Sequence, residues 1–145
     1  MKYCKVVSKK EFDKLEPDVN AVAIRIIDPE GENHSNIDGY KDELRIEFWD
    51  IDDDIGRLKA ITDEQAKIIY DFMIKNINAE ALVVHCMAGV SRSNTIAQFF
   101  AFHIAKDDYI ASLLSSDTTK IINYGIWDKL KKQAQLNNNW HITFS

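Results

Sequence analysis

The chain has 145 residues, is 46% hydrophobic and 28% charged, and carries a formal net charge of −5 with a pI near 5.3. That length suits a single domain that buries its core without disulfide or metal staples. The acidic balance argues against a nucleic-acid partner, whose phosphates demand a basic face. Cys4 and Cys86 are too few for a disulfide framework, and neither a basic-plus-apolar leader nor an apolar run of membrane-spanning length is present, so a reduced, cytoplasmic setting away from membranes is expected.

Tyr3 to Val7 alternates as an edge strand, and Ser8-Lys9-Lys10-Glu11 has capping-box spacing, which predicts a short helix through about Leu15 that Pro17 ends. Ala21 to Ile27 is a β-rich run closed by the turn signal Asp28-Pro29-Glu30-Gly31. The polar stretch to Asp42 reads as a surface loop, and its His34 has no carboxylate or second histidine at metal-ligand spacing. Leu44, Ile46 and Phe48 alternate with Arg45, Glu47 and Trp49, a strand pattern that breaks at the acidic loop Asp50-Ile51-Asp52-Asp53-Asp54-Ile55-Gly56.

Thr62-Asp63-Glu64-Gln65 is a second capping box, and Ala66, Ile69, Tyr70, Met73 and Ile77 give the apolar stripe of a helix running to about Asn76. Ala81 to Val84 is a short buried strand, and a helix is expected from Ser93, with Ile96, Phe99, Phe100, His103 and Ile104 at helical spacing. His103 on or beside that apolar face reads as a core histidine. Asp107 to Thr119 is a weaker helical segment and loop, and Ile126, Trp127, Leu130 and Ala134 mark a closing helix that Asn137-Asn138-Asn139 terminates. Strands separated by helices predict a single-domain α/β fold, a mostly parallel sheet of about four or five strands with helices on both faces.

Between the buried strand and its helix stands His85-Cys86-Met87-Ala88-Gly89-Val90-Ser91-Arg92-Ser93. The five residues between Cys86 and Arg92 can curl so that backbone N–H groups point inward at a helix N-terminus, a cradle for a dianion such as a phosphate monoester. Gly89 permits the conformation that closes the loop, and Arg92 grips two oxygens in bidentate fashion. Cys86 at the bottom is favoured as thiolate, a nucleophile in place.

His85, Cys86, Gly89, Arg92 and Ser93 in register resemble the H-C-x-x-G-x-x-R-S/T signature of the cysteine-dependent protein tyrosine phosphatases, and the flanks are most similar to the small dual-specificity-type members. The resemblance implies Cys86 as nucleophile, Met87, Ala88, Gly89, Val90, Ser91 and Arg92 as phosphate binders, and Ser93 as the hydroxyl that stabilises the leaving thiolate. It gives His85 an indirect role, orienting the loop and tuning the thiol. It also implies an aspartate general acid in a loop that follows a sheet strand, some thirty-odd residues before the cysteine. Asp50, Asp52, Asp53 and Asp54 all fit that distance. In such proteins the acid falls two residues after the last inward-facing apolar residue of the strand, and Phe48 plus two favours Asp50.

Ser91 reads simply as the helix cap, Asn123 as a structural residue opening the last helix, and Cys4 as a small buried hydrophobe, with oxidation partner of Cys86 as the alternative. The expected function is metal-free, cofactor-free hydrolysis of a phosphoprotein or small phosphate monoester, by a monomer. The alternative is a non-catalytic phosphate-binding module. A rhodanese-like sulfurtransferase would lack this signature, and an arsenate-reductase-like use would want further cysteines. Asp28 to Asp42 and Asp50 to Ile61 are candidate pocket walls, with Trp49, Tyr40 and Arg57 as rim contacts whose structural reading is the stronger.

Overall fold

The structure is a computed structural model that describes residues 1–29 and 39–137. His34, the Glu30-Gly31 end of the expected turn and Asn138-Asn139 lie outside the described residues. Four strands, β1 (Tyr3–Ser8), β2 (Ala21–Ile27), β3 (Asp42–Glu47) and β4 (Ala81–Cys86), form a sheet in the order β1-β4-β2-β3. Every pairing is parallel. The two central strands are buried along their whole length, which is why they read as near-continuous apolar runs, whereas β1 and β3 mix charge with apolar residues as edges do.

Alternation along the strands divides the core. Val22, Ile24, Ile26, Leu82, Val84 and Cys86 join one large cluster with Ile69, Tyr70, Met73, Ile96, Phe99 and Leu130 from the helices. Ala21, Ala23, Ala81 and Val83 face the other way, onto Phe12 of the short helix α1 (Lys9–Lys14). The period of two therefore sends His85 and Cys86 to opposite faces of the sheet. The larger layer consists of α2 (Asp63–Lys75), α3 (Arg92–Phe99) and α5 (Tyr124–Leu136), while α4 (Asp108–Ser115) covers the β1 edge through Met1 and Cys4.

Both capping boxes form: Ser8 Oγ accepts from Glu11 N, and Thr62 Oγ1 accepts from Gln65 N. The apolar stripe of α2 holds through Met73, and its wholly buried Ile69 and Met73 each contribute roughly 1.5–3 kcal/mol of transfer free energy. Ile77 departs from the stripe, because the helix ends at Lys75 and leaves Ile77 42% exposed. The helix expected through Ile104 is α-helical only to Phe99, and Phe100–Ile104 widens into a π turn closed by Ala105 N donating to Phe100 O at 2.8 Å. Apolar spacing over one turn does not separate the two pitches. His103 is set there against the rings of Phe99 and Trp127, with centroids 5.1 and 5.3 Å apart, and burial holds its pKa down at about 4.

Candidate active site

Functional side chains gather at the carboxyl ends of the parallel strands, where open α/β sheets place their ligands. Asp28 follows β2, Phe48 and Asp50 follow β3, and Cys86 is the last residue of β4. Met87 to Ser91 connect β4 to α3, which starts at Arg92. Four carbonyls of this segment are bonded from outside: Met87 O accepts from Lys9 N, Gly89 O from Lys120 Nζ, Val90 O from Ile121 N, and Ser91 O from Thr95 N and Oγ1. In a trans peptide the following N–H points away from its carbonyl, so the N–H groups of Ala88, Val90, Ser91 and Arg92 turn to the opposite side. This is the geometry of an anion nest.

Gly89 closes the loop at φ +71°, and a Cβ there would lie 2.6 Å from both Ser8 N and Val7 C. Conformation and space both require glycine. Cys86 Sγ, only 2% exposed, lies 3.1 Å from Ser93 Oγ and accepts from Gly89 N at 3.3 Å. Burial pushes the thiol pKa up, but the hydrogen bonds from Ser93 and Gly89 and the Arg92 charge outweigh it, and the net shift is downward.

Arg92 is 5% exposed; its Nη1 donates to Phe48 O at 2.6 Å and lies 2.6 Å from Asp28 Oδ1. The sheet ends thus anchor one corner of the guanidinium. Its Nε is buried with no hydrogen-bond partner among the described residues. An unpaired buried donor on a cation is costly, and an oxyanion would satisfy it.

The acidic loop separates its four aspartates. Asp50 Oδ1 accepts from Asn123 Nδ2 at 2.9 Å, and Asp50 lines a cleft of about 220 Å³ with Ile51, Asp52, Ser91, Ile121 and Asn123, so it shares that cleft with the end of the Cys86–Arg92 loop. Asp52 Oδ1 accepts from Gly125 N at 3.4 Å. Asp54 is engaged elsewhere, accepting from Ala60 N and pairing with Lys59, and Asp53 lines a separate hollow with Asp54, Thr62 and Lys129. Among the described residues no group of three or more His, Cys, Asp or Glu could hold a metal ion.

On the far face of the sheet His85 Nε2 accepts from Arg25 Nε at 3.2 Å, and Nδ1 lies 3.5 Å from Cys86 O. The imidazole rests 4.4 Å from the Phe12 ring, and burial followed by the Arg25 charge pushes its pKa down to about 4. It is neutral at pH 7 and separated from the nest by the sheet. Arg25 itself is 1% exposed and pairs with Glu43 at 3.0 Å.

Several expected placements differ. Ser91 occupies the N-cap of α3 without a side-chain cap bond, because at φ −117° and ψ −68° it lacks the extended conformation from which a cap reaches back. Tyr40 stacks on Phe12, on the face opposite Cys86, so it is no rim contact of this cleft. Cys4 is paired in register with Leu82 while Ser8 is opposite Cys86. Four residues of strand separate the two cysteines by roughly 13 Å, beyond the ~7 Å reach of a disulfide. Cys4 is half-buried, packed against the core beside Met1, and desolvation pushes its thiol up to about 12.

Asp28, Lys120 and Arg25 were not singled out by the sequence pattern, and Asn123 reads there as structural. Asp28 had one usable signal, its position just after a central parallel strand. Lys120 and Arg25 have none, since their partners lie 31 and 60 residues away.

No family profile and no curated protein matches the chain. Solved structures do. Human DUSP28 superposes with a TM-score of 0.58 at 14% identity, covering 95% of each chain. PTPMT1 in complex with PI(5)P gives 0.57 at 15% identity over 95% of this chain and 94% of that one. A mouse putative dual specificity phosphatase complexed with zinc tungstate gives 0.53 at 17% identity over 81% and 74%. The chain has the fold of small dual-specificity-phosphatase-like proteins of the cysteine-dependent tyrosine phosphatase superfamily.

Proposed function

We propose that the protein is a cysteine-dependent phosphate monoester hydrolase of the protein tyrosine or dual-specificity type. The observation that carries this reading is the Cys86 thiol, its pKa lowered, hydrogen-bonded by Ser93 and Gly89 beside a loop whose Met87, Gly89, Val90 and Ser91 carbonyls are bonded on the outside. The shared fold supports it. So do the zinc tungstate and the PI(5)P with which two structural neighbours are complexed, which agree with a phosphorylated substrate here.

In the first step the Cys86 thiolate attacks phosphorus, the P–O bond breaks, and Asp50 protonates the departing oxygen. Inward amides and Arg92 hold the three equatorial oxygens, and Arg92 Nε gains the acceptor it lacks. In the second step water attacks the thiophosphate, Asp50 takes its proton, and the P–S bond breaks while Ser93 Oγ donates to the returning thiolate. His85 supports the loop and exchanges no proton. The chemistry uses no metal, and a free thiolate suits a reducing, cytoplasmic setting.

The test is hydrolysis of 4-nitrophenyl phosphate without added metal, with and without orthovanadate, by wild type and Cys86→Ser. Vanadate-sensitive turnover that Cys86→Ser abolishes is the expected result. Wild-type-level turnover in Cys86→Ser removes the thiolate from the mechanism, and absent turnover with retained phosphate binding makes the cradle a capture site.

A further inference from the structure

Asn123 satisfies three elements at once. Its Oδ1 accepts from Ile126 N at 3.1 Å and caps α5, its backbone N donates to Thr95 Oγ1 at 2.8 Å, and its Nδ2 donates to Asp50 Oδ1 at 2.9 Å and to Ile51 O at 3.5 Å. Thr95 Oγ1 in turn donates to Ser91 O at 2.8 Å. A continuous line of hydrogen bonds therefore runs from the end of the Cys86–Arg92 loop through Thr95 and Asn123 to Asp50. Asn123 is 5% exposed, whereas Asp50 stands on an exposed loop where, among the described residues, Asn123 is the hydrogen-bond partner of its carboxylate.

The amide orientation follows from the network, since a backbone N–H can only donate and the atom facing Ile126 N must be oxygen. Nδ2 consequently faces Asp50. An amide nitrogen accepts nothing, so Oδ1 is held as an acceptor and the proton of the acid form resides on Oδ2. The main chain beside it is equally constrained. A Cβ at Gly125 would lie 2.8 Å from Asp52 O and 3.0 Å from Asp52 Cα, so the first turn of α5 is seated directly on the acid loop.

We propose that Asn123 is the positioning residue for the general acid: it places the Asp50 carboxyl over the phosphate cradle with its proton on the outer oxygen. This rests on the reading of Asp50 as acid. Holding a flexible carboxyl in one rotamer before substrate arrives removes an ordering cost from the transition state, and the gain appears only where the leaving oxygen needs a proton.

That condition separates positioning from mere support. Asn123→Ser keeps a helix cap but is too short to reach Asp50, and Asn123→Asp keeps the capping oxygen while replacing the donor with a second carboxylate. Thermal melts verify that each folds. For wild type, both variants and Asp50→Ala, kcat/KM is measured on phenyl phosphate, whose phenoxide leaves poorly, and on 4-nitrophenyl phosphate, whose phenoxide leaves readily.

Asp50→Ala is expected to lose far more activity on the phenyl ester. The Asn123 variants should show the same asymmetry, a loss on phenyl phosphate about tenfold greater than on the nitrophenyl ester, and Asn123→Ser should add nothing in the Asp50→Ala background. Equal losses on both esters, or none, overturn the assignment while leaving Asp50 in place. Absence of asymmetry in Asp50→Ala overturns the acid assignment and Asn123 with it, and persistence of the Asn123→Ser loss in that background shows that it acts elsewhere.

Discussion

At Cys86 a single atom reports on the whole loop. Its lowered pKa rests on Ser93, Gly89 and Arg92 working against burial, so alkylation by iodoacetamide should reach half its maximal rate below the ordinary thiol range. Cys4, half-buried and pushed up to about 12, stays silent in that assay. Ser93→Ala removes the strongest of the contacts that favour the thiolate, and the alkylation profile should move to higher pH while release of phosphate from the intermediate slows by about tenfold or more, as loss of a hydrogen bond to a charged group implies. An unmoved profile contradicts the hydrogen bond. Gly89→Ala forces a Cβ to within 2.6 Å of the β1 backbone at a positive φ. Beyond the ~1–2 kcal/mol of left-handed strain, the β1 end or the loop must shift, and turnover should fall at least about a hundredfold. Full activity in a folded Gly89→Ala protein would show that the loop's shape is not what binds phosphate.

Among the elements, the apolar runs of β2 and β4 were legible because both strands are buried on both faces and have no polar break except Arg25 and His85. Those two exceptions face each other across the strand pair. Charge on a central strand cannot announce a partner 60 residues away, which is why Arg25 was legible only as part of an apolar run. The pair has a measurable consequence. His85 in the folded protein has its pKa depressed to about 4, whereas the unfolded chain takes up that proton near the ordinary 6.5. Its contribution to stability is therefore fully present above pH 6.5 and is lost as pH falls toward 4, by on the order of 3 kcal/mol. Urea midpoints should drop between pH 7 and 4.5, and His85→Gln, which still offers Arg25 an acceptor, should flatten that drop. The same slope in His85→Gln would assign it to other groups.

For the molecule as a whole, a parallel sheet collects the ends of β2, β3 and β4 on one edge, and that topology turns a local signature into a site. The Cys86–Ser93 signature and the parity from Phe48 to Asp50 were legible because each depends on residues near in sequence. The Arg92 anchor at Asp28, the Lys120 bond to Gly89 and the Asn123 clamp depend on tertiary approach and were not. The strand register also forbids a Cys4–Cys86 disulfide, so Cys4→Ala should leave oxidative inactivation and its recovery by thiol unchanged. The most direct test of the account is the mass of the intact protein acid-quenched during turnover of 4-nitrophenyl phosphate. One added phosphoryl group, mapped to the peptide bearing Cys86 and missing from Cys86→Ser, is the expected result. Turnover with no covalent phosphoprotein, or with the phosphoryl group on another residue, would contradict it.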